Sequence, residues 1–136
     1  MKKLNFLNSL AVIFCISLAT LACEKDNKNE DTNQNLQGTW NVTSWTQDGN
    51  EQIGGILASS YSIEFDSLSG TGGYSTWTIT NFTGFETVIE GDYEVKDDGE
   101  TLVFEGQDWQ LDLNGDNLRI EGIILNESYV LMAERQ

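Results

Sequence analysis

Beyond about residue 36, hydrophobic side chains recur at every second position, and this alternation constrains the fold more than any other feature. Trp40 and Val42 alternate with Asn41 and Thr43. Tyr61, Ile63 and Phe65 alternate with Ser62, Glu64 and Asp66, and Trp77 and Ile79 sit between Thr76, Thr78 and Thr80. The pattern continues through Ile89, Gly91, Tyr93 and Val95, then Leu102 and Phe104, then Trp109, Leu111 and Leu113. It ends with Leu118, Ile120, Gly122 and Ile124, and with Tyr129, Leu131 and Ala133. A period of two puts one face of each segment in a core and the other in water, as in an antiparallel sheet. A helical period is absent apart from one turn near residues 56–60.

Turn residues separate the runs. Asp98-Gly99 and Asn114-Gly115 offer the positive φ that tight hairpins require, and Asn126-Glu127 closes the last one. Residues 67–73 read as a flexible loop tip. About eight short strands joined mainly by hairpins predict an all-β fold, a small up-and-down antiparallel barrel. The chain has no proline to guard exposed strand edges, and closure removes those edges. The aromatic residues Trp40, Tyr61, Phe65, Trp77, Tyr93, Phe104 and Trp109 all point inward by parity.

The residues available for chemistry are few. The chain has no His and two Cys, Cys15 and Cys23. Serine or cysteine catalysis relying on imidazole, zinc sites of the usual type and haem attachment are therefore excluded. Seven Lys and Arg stand against 22 Asp and Glu, a net charge of −15 that repels nucleic acid phosphates and anionic lipid headgroups. Carboxylates such as Glu64, Asp66, Glu90, Asp92 and Glu94 fall on the outer face, where solvation keeps them ordinary. Asp112, Asn114 and Asp116 have the spacing of a calcium loop, but the glycine and closing glutamate of that loop are missing. No catalytic residue, metal ligand or cofactor is predicted, and the protein reads as non-enzymatic.

The N-terminus fixes a location. Lys2 and Lys3 precede a mostly apolar run to Ala22, and Cys23 is followed by the polar stretch EKDNKNEDTNQN. This is the layout of a secretory signal peptide over 1–22, and its end resembles a bacterial lipobox, with Cys23 as the lipidated residue. The competing reading is an uncleaved transmembrane anchor. Residues 23–36 are too polar to bury a core and read as a flexible tether, which leaves 37–136 as one domain. The expected location is the cell envelope, lipid-anchored at the outer membrane, with the membrane as partner through that lipid.

Gly38-Thr39-Trp40 resembles the G-x-W signature that opens the first strand of lipocalins. The segments LQGTWNVTSWTQDG, EGDYEVKDDGETLVF and NLRIEG…NESYVLMAER are similar to short lipocalin-like domains of lipoproteins from the Bacteroidetes. The resemblance implies that Trp40 crosses the closed end of a barrel with a basic residue of the last strand at its ring, and Arg135 has the right parity. It further implies that the first long loop, residues 47–60, caps the open end, with Ile53, Ile56 and Leu57 as a lid over a small hydrophobic ligand. Trp40, Trp77, Trp109 and Arg135 are the expected interior signature. Two roles remain: binding of a small apolar ligand, or a filled barrel serving as an interaction module of an envelope complex. The second expects Trp45, Phe82 and Phe85 exposed as a patch.

Overall fold

Each alternating run forms a strand in the computed structural model, which describes residues 28–54 and 58–136. In chain order the strands are β1 (Gly38–Gln47), β2 (Asn50–Glu51), β3 (Ser60–Ser69), β4 (Gly72–Thr80), β5 (Glu86–Lys96), β6 (Thr101–Phe104), β7 (Gln107–Asn114), β8 (Asn117–Ile124) and β9 (Glu127–Arg135). All pairings between them are antiparallel, and sequence neighbours pair from β3 through to β9. The first half of β1 pairs with β3, and Trp40 to Gln47 pair with β9. That second pairing closes the sheet into an eight-stranded up-and-down barrel, with two-residue β2 as a flap on the end of β1. An eight-stranded barrel has an interior that side chains nearly fill.

The core follows the alternation. Trp40, Ile63, Leu102 and Ile120 are fully buried, and Phe65, Trp77, Phe104, Trp109 and Leu111 nearly so. One bulge breaks the period. The register of β1 against β9 slips between Val42 and Ser44, leaving Thr43 unpaired with its Oγ1 donating to Met132 O at 3.2 Å. An extra residue inverts the parity beyond it. Trp45 therefore turns inward, where it packs edge-on to Tyr61 with ring centroids 5.5 Å apart. The expected exposure of Trp45 is corrected by this bulge.

Several turns lie one step from their expected places. The last hairpin turns at Leu125 and Asn126, both at positive φ, and Glu127 already belongs to β9. Gly115 and Asp116 form the β7–β8 turn, with positive φ at Gly115 and Asn114 still paired in the strand. Residues 67–73 are mostly strand: Ser69 pairs with Gly72, leaving a two-residue tip.

The largest departure is at the N-terminal side. Residues 28–36, expected as tether, are helical (α1) and lie under the barrel. Leu36 and Asn33 are fully buried there. Asn33 Nδ2 donates to Gly70 O at 2.8 Å and Gly72 O at 3.2 Å, and its Oδ1 accepts from Tyr93 Oη at 2.7 Å. Asn29 Oδ1 accepts from the Gly99 amide at 2.7 Å. A polar segment that cannot build its own core orders here because the barrel supplies the partners. The Gly99 amide and the Gly70 carbonyl lie in turns at the closed end, the Gly72 carbonyl starts β4 beside them, and α1 caps all three.

Candidate functional site

The two ends of the barrel differ. At the closed end, Trp40 lies across the floor and its Nε1 donates to Leu36 O at 2.8 Å. The Arg135 guanidinium sits 4.4 Å from the Trp40 ring centroid. Its Nη1 donates to Gln37 O at 2.6 Å, Nη2 donates to Asn35 O, and Nε bonds Asp116 Oδ1 at 3.2 Å. Arg135 thus meets the C-terminal carbonyls of α1, where a cation is favoured, while stacking on Trp40. A hollow of about 580 Å³ runs outside this end between α1 and the barrel. It is an open polar groove lined by Lys28, Thr32, Asp98 and Glu100, among others.

At the other end, residues from all eight barrel strands line an apolar pocket of about 260 Å³. Its walls include Trp45, Tyr61, Trp77, Phe104, Trp109 and Leu131. Trp77 and Phe104 stack in parallel with centroids 4.7 Å apart, and Trp109 is tilted against Trp77 at 6.1 Å. Glycine at 122 makes this packing fit: a Cβ there would lie 2.5 Å from Trp109 Cε3. Trp77 Nε1 is satisfied by Ser75 Oγ at 2.8 Å, and that hydroxyl donates to Glu64 O at 3.0 Å. Trp109 Nε1 is buried and has no hydrogen-bond partner among the described residues. Burial raises the Tyr61 phenol far above its ordinary range.

The wall is interrupted on one side. β6 pairs with residues 93–96 of β5, and β5 residues 86–92 pair only with β4. The pocket borders this edge, open on the β6 side, at Ile89, Glu105 and Gln107. Four connections ring the mouth. Glu105-Gly106 and Leu125-Asn126 are two-residue turns with positive φ throughout, and Leu125 is 90% exposed. In the third, Asn81 Oδ1 accepts from Thr83 N, Thr83 Oγ1 and Phe85 N, a tight loop that leaves Phe82 and Phe85 exposed.

The fourth is the long connection after β1, and Glu51 organises it. Its carboxylate accepts from Ser44 Oγ and from the amides of Trp45, Gln52 and Ile53 at 2.5–3.1 Å. Desolvation raises the Glu51 pKa, but these hydrogen bonds outweigh it and the net shift is downward. Ile53 is half-buried against the core and bridges to Ala58, which is fully buried. Ile56 and Leu57 lie outside the described residues, as does Cys23. Glu127 accepts from Gln47 Nε2 at 2.6 Å and Tyr129 Oη at 2.7 Å, and that hydrogen bond is the main cause raising the Tyr129 phenol.

Asp112, Asn114 and Asp116 do not converge: Asp112 is on β7 opposite Arg119, and Asp116 is bound to Arg135. Among the described residues no cluster of three or more His, Cys, Asp or Glu is arranged to hold a metal.

Neither the comparison with protein families nor that with curated proteins finds a match. Solved structures do match. A redesigned β-barrel is similar over 77% of this chain and 95% of its own, with TM-score 0.59 and 17% identity. A de novo designed fluorescence-activating β-barrel matches over 78% of this chain and 98% of its own, with TM-score 0.56 and 17% identity. A mutant of the fluorescent protein UnaG aligns over 76% and 97%, with TM-score 0.49 and 10% identity. The fold is a small, closed, up-and-down antiparallel β-barrel of eight strands, as in the two designed barrels.

Of the predicted residues, this barrel separates Trp40 and Arg135, at the floor, from Trp77, Trp109 and Ile53, at the mouth. Sequence reasoning missed Glu51 and Asn33. Both are polar residues whose partners depend on the closed fold, and nothing in their neighbours signals them. Gly122 carried a readable signal, a glycine at an inward position of a strand.

Proposed function

We propose that this chain is a non-enzymatic, lipid-anchored protein of the cell envelope that binds one small hydrophobic ligand in the barrel mouth. The observation that carries the binding half is the aromatic pocket of about 260 Å³ at the open end. Its volume falls below the roughly 300–1,000 Å³ of sites for drug-sized molecules, so the ligand is small. The likeness to a fluorescence-activating barrel supports the reading at the level of fold. The anchoring half rests on Lys2, Lys3, the apolar run and Cys23, with the outer membrane as the proposed site.

Titration with the neutral dye N-phenyl-1-naphthylamine tests the binding half. Saturable binding at micromolar dye with quenching of Trp emission is expected, and Ile124→Trp, which fills the pocket wall, should abolish it. Absence of saturation refutes it. Cys23→Ala should release the protein from membranes without unfolding it, and continued membrane association refutes the anchor.

A second reading, an interaction module, is favoured by Phe82 and Phe85, which are 62% and 67% exposed on the mouth loop.

A further inference from the structure

The barrel wall is incomplete in its mouth half. β6 has four residues, and the Glu105-Gly106 turn sends the chain back into β7 part-way along β5. Residues 86–92 of β5 therefore pair with β4 on one side and have no strand paired on the other. The direction of the free backbone groups follows from the alternation of an antiparallel strand. Val95 N donates to Thr71 O, and Phe85 O accepts from Asn81 N, both on the β4 side. The β4–β5 register runs without a slip from Glu86 to Glu94, so the odd-numbered residues bond β4. The N–H and C=O of Glu86, Val88, Glu90 and Asp92 then point to the open side. β6 takes up the same row lower down, where Glu94 and Lys96 face Val103 and Thr101.

Natural sheets guard such an edge with proline, lysine or a bulge. The segment ETVIEGD has none of these, and Thr87, Val88 and Ile89 are β-branched residues suited to pairing. Val88 and Ile89 are 50% and 43% exposed. Charge along the edge has one sign. Parity puts Glu86, Glu90 and Asp92 on the outer face with Val88, and Thr87, Ile89 and Gly91 on the inner face. A shallow hollow of about 460 Å³ continues from the foot of the edge, lined by Asp92, Glu94 and Glu105 among others. The Tyr74 phenol is raised first by desolvation and then by the charges of Glu90, Asp92 and Glu105, which gather around it. The only base of β5, Lys96, ends the strand and pairs with Glu94 at 3.1 Å. A second copy of the chain is a poor occupant. Antiparallel pairing of two such edges centred on Val88, Ile89 or Glu90 sets Glu86 against Glu90, Glu86 against Asp92, or Glu90 against itself, and like charges directly opposite are destabilising.

From these observations we infer that the open edge of β5 is a strand-addition site for an extended segment of a partner protein that carries Lys or Arg at alternate positions. The partner's main chain bonds Val88, Glu90 and Asp92, its basic side chains lie beside the outer carboxylates, and its small apolar side chains cover Ile89 on the inner face. The site is separate from the mouth ligand, and failure of dye binding leaves it untouched.

The probe is a heptapeptide, acetyl-KVKVKVK-amide, with its acidic counterpart acetyl-EVEVEVE-amide, titrated against the full chain. The basic peptide should bind at least about tenfold tighter than the acidic one. At saturation, amide exchange of Val88, Glu90 and Asp92 should slow at least about tenfold, while Thr87 and Ile89, already bonded to β4, change far less. Val88→Pro removes one outward donor and none of the β4 ladder, as proline is tolerated where the N–H faces solvent. It should weaken the basic peptide about tenfold and leave the Tm nearly unchanged. The exchange measurement uses wild type and stands even if that variant folds poorly. Binding of the basic peptide with exchange unchanged at all three residues reduces it to charge adhesion and overturns the strand addition. Equal affinity for the acidic peptide overturns the cationic partner. No saturation at millimolar peptide overturns the site. A dimer in sedimentation of the wild type that is lost in Val88→Pro gives the edge to a second copy and overturns the partner.

Discussion

Replacing Arg135 by Ala isolates the contact that joins the last strand, the first strand and α1. Four contacts are lost. The guanidinium over Trp40, at 4.4 Å, contributes about 0.5–2 kcal/mol. The donors to Gln37 O and Asn35 O are charge-assisted and also satisfy carbonyls beyond the last turn of α1, each worth about 1.5 kcal/mol at the low end suited to a side chain still 29% exposed. The ion pair to Asp116 adds little, because that partner is 82% exposed. These terms share one side chain and are not additive, so the expected loss is about 2–3 kcal/mol. For a domain of roughly 100 residues this lowers the Tm by about 10–20 °C. Thermal unfolding followed by circular dichroism gives the total, and amide exchange of residues 28–36 reports whether α1 is released. Arg135→Lys should fall between wild type and Ala, since an ammonium keeps the charge but cannot reach two carbonyls while stacking on the ring. A loss under about 0.5 kcal/mol with α1 exchange unchanged would falsify this account.

Two further expectations concern the mouth. Gly122→Ala puts a methyl against Trp109, where the ring lies 2.5–3.0 Å from the new atom. It should cost about 1–3 kcal/mol in denaturant titration and weaken dye binding by shifting the indole, and an unchanged midpoint would show that the ring moves freely. Glu51 contributes loop order at neutral pH because its folded-state pKa is lowered. Its stabilisation is present above the ordinary glutamate pKa and is lost as pH falls through the lowered value. Amide exchange at Gln52 and Ile53 should therefore quicken on acidification relative to its intrinsic trend, and Glu51→Gln should remove that excess pH dependence. An identical excess in the Gln variant assigns the effect to another group.

Strand number, barrel class and the inward set from Trp40 to Ile120 were legible in the alternation, because burial on one face of a sheet imposes a period of two wherever pairing is regular. The pairing of Trp40 with Arg135 was legible once parity was combined with the G-x-W resemblance. Trp45 was not, since its direction depends on the bulge at Thr43, and a bulge leaves no mark in a pattern of polar residues. The Leu125 turn was hidden for a related reason: positive φ is unfavourable for leucine, and the closing register of β8 against β9 imposes it.

What the sequence determined by itself was local and periodic: which segments are strands, which faces are apolar, and that imidazole and disulfide chemistry are missing from the barrel. What the tertiary structure decided was which groups share a neighbourhood. Asn33 reaches Tyr93, Arg135 reaches the end of α1, and Trp109 reaches the mouth beside Trp77, all across long separations in the chain. Closure of β1 onto β9 creates these meetings, and it also leaves one end floored by Trp40 and the other open. Spacing along the chain records the period of a strand, but the distance between strands several hairpins apart exists only once the sheet has curled shut.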